Sequence, residues 1–197
     1  MTDYSANRKN KPIIVNISNR HCHLHQDDME KLFGKGHKLT KTKDLMQPGE
    51  HACQETVAIT GSKGDIPNVR VLGPLRKATQ VEISMTDSIH IGAGAPVRTS
   101  GDIAGSAAVK ITGPAGSVEL KEGCIVAKRH VHMTPADAEF FGIKDKDNIR
   151  IKIEGERGLI FDNVTARVSP NMTLECHLDI DEANAAGAKN GNQAFIL

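Results

Sequence analysis

Tryptophan is absent from the 197-residue chain, tyrosine occurs once, and aromatic residues make up 3% of the whole. Stacking platforms for single-stranded nucleic acid are built from such rings, so that class of partner is not expected. Charge of one sign is equally scarce. The 25 Lys and Arg are balanced by 24 Asp and Glu, a net +1, which leaves no footprint for nucleic acid or an anionic membrane. No apolar run approaches the ~18 residues of a membrane span. The opening MTDYSANRKNKP also lacks the apolar stretch of a signal peptide, so a cytoplasmic protein is expected. Cys22, Cys53, Cys124 and Cys176 are widely separated and form no Cys-x-x-Cys. This spacing argues against a zinc ribbon or a disulfide scaffold, and reduced thiols are expected.

Signatures of common enzyme classes are missing too. Gly92-Ala93-Gly94-Ala95-Pro96-Val97 has two glycines of a dinucleotide loop but Val97 in place of the third, with no helical pattern after it. There is no phosphate-loop lysine and no Gly-x-Ser-x-Gly elbow. The length also falls short of the roughly 250 residues of a (β/α)₈ barrel.

What is present is a chain with 39% hydrophobic residues, 18 Gly and 9 His, enough to build a packed core from Ile, Val, Leu and Ala. Short β-branched runs broken by Gly, Pro, Asn and Asp predict strands at residues 13–18, 55–60, 68–72, 80–85, 107–112, 117–120, 124–127, 148–154, 159–161 and 163–168. So many short strands in so short a chain point to barrels or sandwiches. Helical pattern is confined to residues 26–33 and 135–141, with a weaker third stretch at 181–188. Thr134 and Pro135 mark the start of the second and Gly142 its stop.

An internal repeat organises these elements. Ile17-Ser18-Asn19-Arg20-His21-Cys22-His23-Leu24 matches Val126-Ala127-Lys128-Arg129-His130-Val131-His132-Met133, and each copy is followed by an acidic helix ending in Phe-Gly. Two copies of strand, Arg-His-x-His and helix predict two related barrel-like units that face each other or intertwine. A boundary near Gly123 and a basic excursion over about residues 34–54 complete the outline. The excursion is read either as a solvated loop or as a loop touching an anionic substrate.

On a strand, residues i and i+2 share a face, so His-x-His aims two imidazoles at one metal. His21/His23 and His130/His132 both have this form, and repetition strengthens the signal. His177 is a fifth donor that spacing alone does not place, and Glu82 is one carboxylate among many. Arg20, Arg76, Arg98 and Arg129 stand beside strands or turns, where a guanidinium holds phosphate or carboxylate, or forms an ordinary surface ion pair.

Five motifs in order carry a resemblance: Asn19-Arg20-His21-Cys22-His23-Leu24, Val71-Leu72-Gly73-Pro74-Leu75-Arg76, Pro96-Val97-Arg98-Thr99-Ser100-Gly101-Asp102, Ala127-Lys128-Arg129-His130-Val131-His132, and His177-Leu178-Asp179-Ile180-Asp181-Glu182-Ala183-Asn184. The chain from Lys11 to Leu197 resembles the PduL-type phosphate acyltransferases, a phosphotransacylase family of phosphate propanoyltransferase type. The resemblance implies a mainly β fold of two small barrels capped by short helices. The N-terminal strand would cross into the C-terminal barrel, dividing the chain into residues 11–19 with 128–197 and residues 20–127. It further implies two divalent metals, most commonly Zn²⁺, at the junction, one on His21, His23 and Glu82 and the other on His130, His132 and His177. Arg76 would hold phosphate. Ser18, Lys43, Arg70, Leu72, His177 and Asn184 would line the coenzyme A site.

The implied reaction is acyl-CoA + phosphate ⇌ acyl phosphate + CoA on a short acyl chain, acetyl or propanoyl. A divalent metal polarises a thioester carbonyl and lowers the pKa of a departing thiol. The reading assigns the CoA sulfur to the His21 site, and phosphate to Arg76 and the His130 site, with direct attack and no protein nucleophile. A homodimer or higher homo-oligomer is expected. The polar residues before Ile13 do not form the amphipathic extension that directs some members into bacterial microcompartments, so a cytoplasmic enzyme and packaging by another element both stay open. Two rivals stand beside this reading: a cupin-like metal-dependent oxygenase or hydrolase, and a non-catalytic zinc-binding module.

Overall fold

The computed structural model describes residues 4–197. In chain order its elements are α1 (Ser5–Asn10), β1 (Ile13–Ile17), β2 (His21–His23), α2 (Gln26–Phe33), β3 (Lys41–Asp44), β4 (His51–Thr60), β5 (Asp65–Gly73), β6 (Gln80–Ile83), α3 (Met85–Ile91) and β7 (Val97–Arg98). They continue with β8 (Ala107–Thr112), β9 (Ser117–Ala127), β10 (His130–Met133), α4 (Pro135–Phe141), β11 (Asn148–Ile153), β12 (Leu159–Val168), β13 (Glu175–Leu178), α5 (Ile180–Ala186) and β14 (Gln193–Ile196).

Two compact units result. The first contains the N-terminal stretch through Ser18, the short piece Met46–Pro48, and Lys128–Leu197; the second contains Asn19–Leu45 and Gly49–Ala127. In the first unit six strands close a barrel in the order β1-β13-β10-β12-β11-β14. In the second, β4-β5-β2-β6-β9-β8 closes the same way, because β8 pairs both β9 and β4; β3 extends from β4 and β7 from β9. The rings correspond strand for strand. Each His-x-His strand, β2 or β10, lies parallel to one neighbour (β5 or β12) and antiparallel to the other (β6 or β13). The sixth strand runs parallel to β6 or β13: it is β9 in the second unit and β1 in the first. The N-terminal strand therefore completes the barrel built from the C-terminal part of the chain.

Inward and outward residues alternate along these strands, as half-buried sheets require. Ile149, Ile151 and Ile153 face inward on β11 and meet Ile13, Val15, Val164, Leu178 and Ile196 in the core of the first unit. Val57, Ile59, Val69, Val71, Val81, Ile83 and Ile111 fill the second. Each such side chain contributes about 1.5–3 kcal/mol on burial.

Several sequence expectations are corrected by the structure. The strands predicted at 117–120 and 124–127 form the single strand β9, and those at 159–161 and 163–168 form β12. The apparent breaks are register shifts. Gly123 bends β9 at φ 132°, where a Cβ would meet the Thr79 carbonyl oxygen at 2.9 Å. Asn163 does the same for β12 at φ 56°. The strand expected to reach residue 85 ends at Ile83, because Ser84 caps α3: its hydroxyl accepts from the Asp87 N–H while the Asp87 carboxylate accepts from the Ser84 N–H. The basic excursion is exposed along β3, but β4 begins at His51, and Gln47 and Cys53 are buried. The strands β2, β3, β7, β10, β13 and β14 and the helices α1 and α3 are absent from the predicted elements; among them β2, β10 and β13 carry His21, His23, His130, His132 and His177.

Candidate metal centres and active-site residues

β2 is three residues long, and its alternation puts His21 and His23 on one face and Cys22 on the other, in the core of the second unit. Antiparallel pairing sets Glu82 of β6 directly opposite His21. The donor atoms of His21, His23 and Glu82 lie within 4.8 Å of one another. β10 and β13 repeat this in the first unit. His130 and His132 share a face, His177 stands opposite His130, and the three donor atoms again converge within 4.8 Å. The six residues that the resemblance implies as metal ligands thus gather as two groups of three.

Ring orientation is fixed from behind. Nδ1 of His21 is 2.8 Å from the Asn19 carbonyl oxygen, and Nδ1 of His130 is 2.8 Å from that of Lys128. A carbonyl only accepts, so both rings carry their proton on Nδ1 and present a lone pair on Nε2. Nε2 of His130 lies 3.0 Å from Nε2 of His132, whose Nδ1 faces the Met172 sulfur at 3.3 Å. Nδ1 of His23 is buried with no hydrogen-bond partner. A buried nitrogen so placed costs about 1–3 kcal/mol in the protein alone.

Electrostatics set the donors in their binding forms. Burial, with help from His21 and the Arg76 guanidinium and against the pull of Glu82, pushes the His23 imidazole down to about 2. Burial, then His130, His177 and Arg167, pushes His132 down to about 2 as well. Both rings are neutral near neutral pH, as metal coordination requires. Burial acts to raise the Glu82 carboxyl, but His21, the Ser100 hydroxyl, His23 and Arg76 outweigh it and hold it below the usual carboxylate range. Two imidazoles with a carboxylate, and three imidazoles, are donor sets that fit a divalent cation of the zinc type. Three protein donors per group, none of them thiolate, match a centre with an open position better than a closed structural one.

The arginines separate by partner. Arg20 Nε lies 2.8 Å from Asp87 Oδ2, and Arg129 Nη1 lies 2.7 Å from Glu182 Oε1, each pairing with the capping-box acid of α3 or α5. Arg98 sits on the exposed strand β7. Arg76 donates from Nη2 to Glu50 Oε1 at 2.9 Å and from Nη1 to Ser100 Oγ at 3.3 Å, and Ser100 donates to Glu82 Oε1 at 2.6 Å. One hydroxyl therefore separates this guanidinium from the first group.

Comparison with known proteins supplies the family. The phosphate propanoyltransferase family profile matches residues 14–189. The chain is 52% identical to the phosphate propanoyltransferase of Thermotoga maritima over 195 residues, covering 98% of this chain and 93% of that protein. It is 52% identical to the Clostridioides difficile enzyme of the same name, covering 96% and 91% of the two chains, and 49% identical to that of Salmonella typhimurium, covering 92% and 87%. This chain belongs to the phosphate propanoyltransferase family. It is accordingly an acyltransferase that works with phosphate.

Within this phosphate propanoyltransferase family member, the residues expected around coenzyme A fall in both units. Ser18, His177 and Asn184 lie in the first, where the Ser18 N–H donates to the Leu178 carbonyl oxygen at 2.8 Å and Asn184 is exposed on α5. Lys43, Arg70 and Leu72 lie in the second. Lys43 and Leu72 flank Ala52 from opposite sides, and Arg70 is register partner to His21. Outside the two groups, His25 caps α2 by accepting from the Asp27 N–H, and His37 pairs with buried Glu55 at 2.9 Å. Sequence reasoning missed Gln80, Ser100 and Glu175, which bond directly to ligand-group residues. The signal for two of them was position: Gln80 and Glu175 each stand two residues before the third donor of a group, on its face of the strand. No helix among the described residues is long and apolar enough to cross a membrane.

Proposed function

We propose that this protein catalyses acyl-CoA + phosphate ⇌ acyl phosphate + CoA on short-chain acyl-CoA, propanoyl or acetyl, by direct attack of phosphate on the thioester. The observation that carries the reading is the convergence of His21, His23 and Glu82, and of His130, His132 and His177, each within 4.8 Å. These groups would hold two divalent metal ions, zinc by their donor chemistry. Bound there, the ions supply Lewis acidity toward a carbonyl oxygen and stabilise a thiolate leaving group. Arg76 holds phosphate through its paired N–H donors, which otherwise go to Glu50 from Nη2 and to Ser100 from Nη1. Ser18, Lys43, Arg70, Leu72, His177 and Asn184 line the path of coenzyme A.

Direct attack is favoured over an acyl-cysteine route by the thiols themselves. Cys22 and Cys176 adjoin the ligand residues in sequence but are fully buried on the opposite strand faces. Burial, with Cys53 nearby, pushes the Cys22 thiol up to about 12, and burial with Glu182 and Glu175 raises Cys176 further above its ordinary value. The test is free-thiol release from propanoyl-CoA and acetyl-CoA, followed with and without phosphate on protein of measured metal content. Release that requires phosphate is expected. Release without phosphate makes the enzyme a hydrolase, and no release from metal-loaded protein makes the histidine groups structural.

A further inference from the structure

The two ligand groups differ in their third donor, a carboxylate in one and an imidazole in the other, and the residue two positions earlier differs in a complementary way. β6 reads Gln80-Val81-Glu82 and β13 reads Glu175-Cys176-His177. Both strands are placed identically against their His-x-His partners. His21 faces Glu82 and His23 faces Gln80; His130 faces His177 and His132 faces Glu175. In the first group the Gln80 amide donates from Nε2 to Glu82 Oε1 at 2.5 Å, while its own oxygen accepts from the Gly101 N–H at 2.8 Å. In the second, Glu175 Oε1 lies 2.9 Å from His177 Nε2. An amide donor stands beside the anionic ligand, and a carboxylate acceptor beside the imidazole.

Glu175 is held as firmly as the residue it contacts. It is 2% exposed, its Oε1 accepts from Asn16 Nδ2 at 2.5 Å, and its Oε2 accepts from Gln47 Nε2. Gln47 in turn is fixed by both backbone polar groups of Thr173, accepting from its N–H at 3.2 Å and donating to its carbonyl at 3.0 Å. A carboxylate that accepts from Nε2 leaves the lone pair of a neutral imidazole on Nδ1. That is the reverse of His130, whose Nδ1 is committed to the Lys128 carbonyl.

We propose that Gln80 and Glu175 are positioning residues matched to the third donor of each group, and that Glu175 sets His177 to coordinate through Nδ1 while His130 and His132 coordinate through Nε2. The inference rests on the metal reading given above. Outer partners of this kind raise ligand basicity and fix ring orientation, and their loss costs about 10–100-fold in metal affinity.

The test is competition titration of the purified 197-residue chain with a chromogenic chelator, using Zn²⁺ and then Co²⁺, whose visible spectrum reports the ligand field. Wild type is expected to bind two ions. Glu175→Ala should lose about 10–100-fold affinity at one site with an altered Co²⁺ spectrum and the other site unchanged; Glu175→Gln, whose oxygen still accepts from Nε2, should lose less. Gln80→Ala should weaken the other site alone. Combining Glu175→Ala with His177→Ala should cost no more than His177→Ala, because Glu175 acts through that ring. Far-ultraviolet circular dichroism of each variant separates these losses from unfolding. A wild-type chain that takes up no metal overturns the metal reading and this inference together. A two-metal wild type whose folded Glu175 variants keep both affinities overturns this inference alone, as does a double variant weaker than His177→Ala, which would make Glu175 a ligand.

Discussion

Arg76 is tied at the residue scale to two partners of different kinds, the Glu50 carboxylate and the Ser100 hydroxyl. Its guanidinium is half-buried, with Ser100 bridging it to Glu82, and a phosphate dianion can take over the Nη2 donor now given to Glu50. Arg76→Ala removes a charge-assisted pair worth roughly 1.5–3 kcal/mol, so kcat/KM for phosphate should fall about 10–100-fold. The change should appear as a raised KM for phosphate, with metal content and the KM for acyl-CoA held. Loss of metal on the same substitution would reassign Arg76 to holding Glu82. Cys22 gives the opposite expectation. Its thiol packs in the core of the second unit with no exposed surface. Cys22→Ala should keep turnover within about 2-fold while lowering unfolding free energy by about 1–2 kcal/mol, the range for losing a small buried group. A trapped acyl-enzyme at Cys22 in the parent protein would refute direct attack.

The short helices do two jobs at the element scale. α3 and α5 follow the strands that carry the third donors, and each begins with a capping box, Ser84/Asp87 and Asp179/Glu182. The acid of each box also pairs with the arginine just before a His-x-His strand, Arg20 or Arg129. Cap and ion pair together tie neighbouring strands of one barrel at the end where the donors sit. Asp87→Ala removes the ion pair and the carboxylate half of the box from a buried position, leaving the Ser84 hydroxyl on the backbone N–H of residue 87, and should destabilise by about 1–3 kcal/mol in urea unfolding; Asp87→Asn should recover part of it, because its amide oxygen still accepts from the Ser84 N–H. An Asp87→Ala protein with wild-type stability would reduce the box to a surface feature. Much of this was legible in sequence, and the remainder has a physical reason. The Arg-His-x-His repeat and the helices after it stood out because identical residues recur at matching spacing. The third donors did not, because the repeat fills that place with Glu82 in one copy and His177 in the other, so a search for identity passes over them. Family resemblance supplied them; pairing register is what places them opposite His21 and His130. Bulges at Gly123 and Asn163 read as strand ends because turn residues and bulge residues are the same types.

Two features belong to the whole molecule, its acid sensitivity and its permuted connectivity. Burial acts to raise the Glu55 carboxyl, but its own N–H, His37 and Thr40 outweigh it, so its folded value lies below the ordinary 4.5. Burial likewise acts to raise Asp137, and Lys11 and Thr134 bring it below 3.8. A carboxylate with a depressed folded pKa binds fewer protons folded than unfolded. Its stabilisation is complete above the unfolded value and is lost as pH falls through the folded one. The melting temperature should therefore gain nothing from these two groups between pH 5 and 8 and lose their contribution below about pH 4, with Glu55→Gln flattening part of that acid limb. An acid limb identical in Glu55→Gln would remove Glu55 from the account.

Connectivity makes the sharper demand. In the second unit the six ring strands follow one another along the chain, whereas the first unit runs from β10 to β14 and then takes β1 from the far end. β1 supplies fully buried Ile13 and Val15 and pairs with both β13 and β14. A chain beginning at Asn19 loses about 3–6 kcal/mol of apolar burial from those two side chains and leaves two strand edges unpaired. That is a large fraction of the 5–15 kcal/mol that holds a domain folded, so this truncated chain should aggregate. A circular permutant makes the converse case. Ile13 is register partner to Ala194, which sets the start of β1 beside the end of β14, and Arg8 already donates to the Leu197 carbonyl at 2.9 Å. Joining Leu197 to Met1 through a Gly/Ser linker of about 10 residues, and opening the chain between Ala127 and Lys128, makes each barrel contiguous. The permutant should unfold cooperatively and retain phosphate-dependent acyl transfer. A truncated chain that folds with native stability would show that β1 is dispensable to the first barrel.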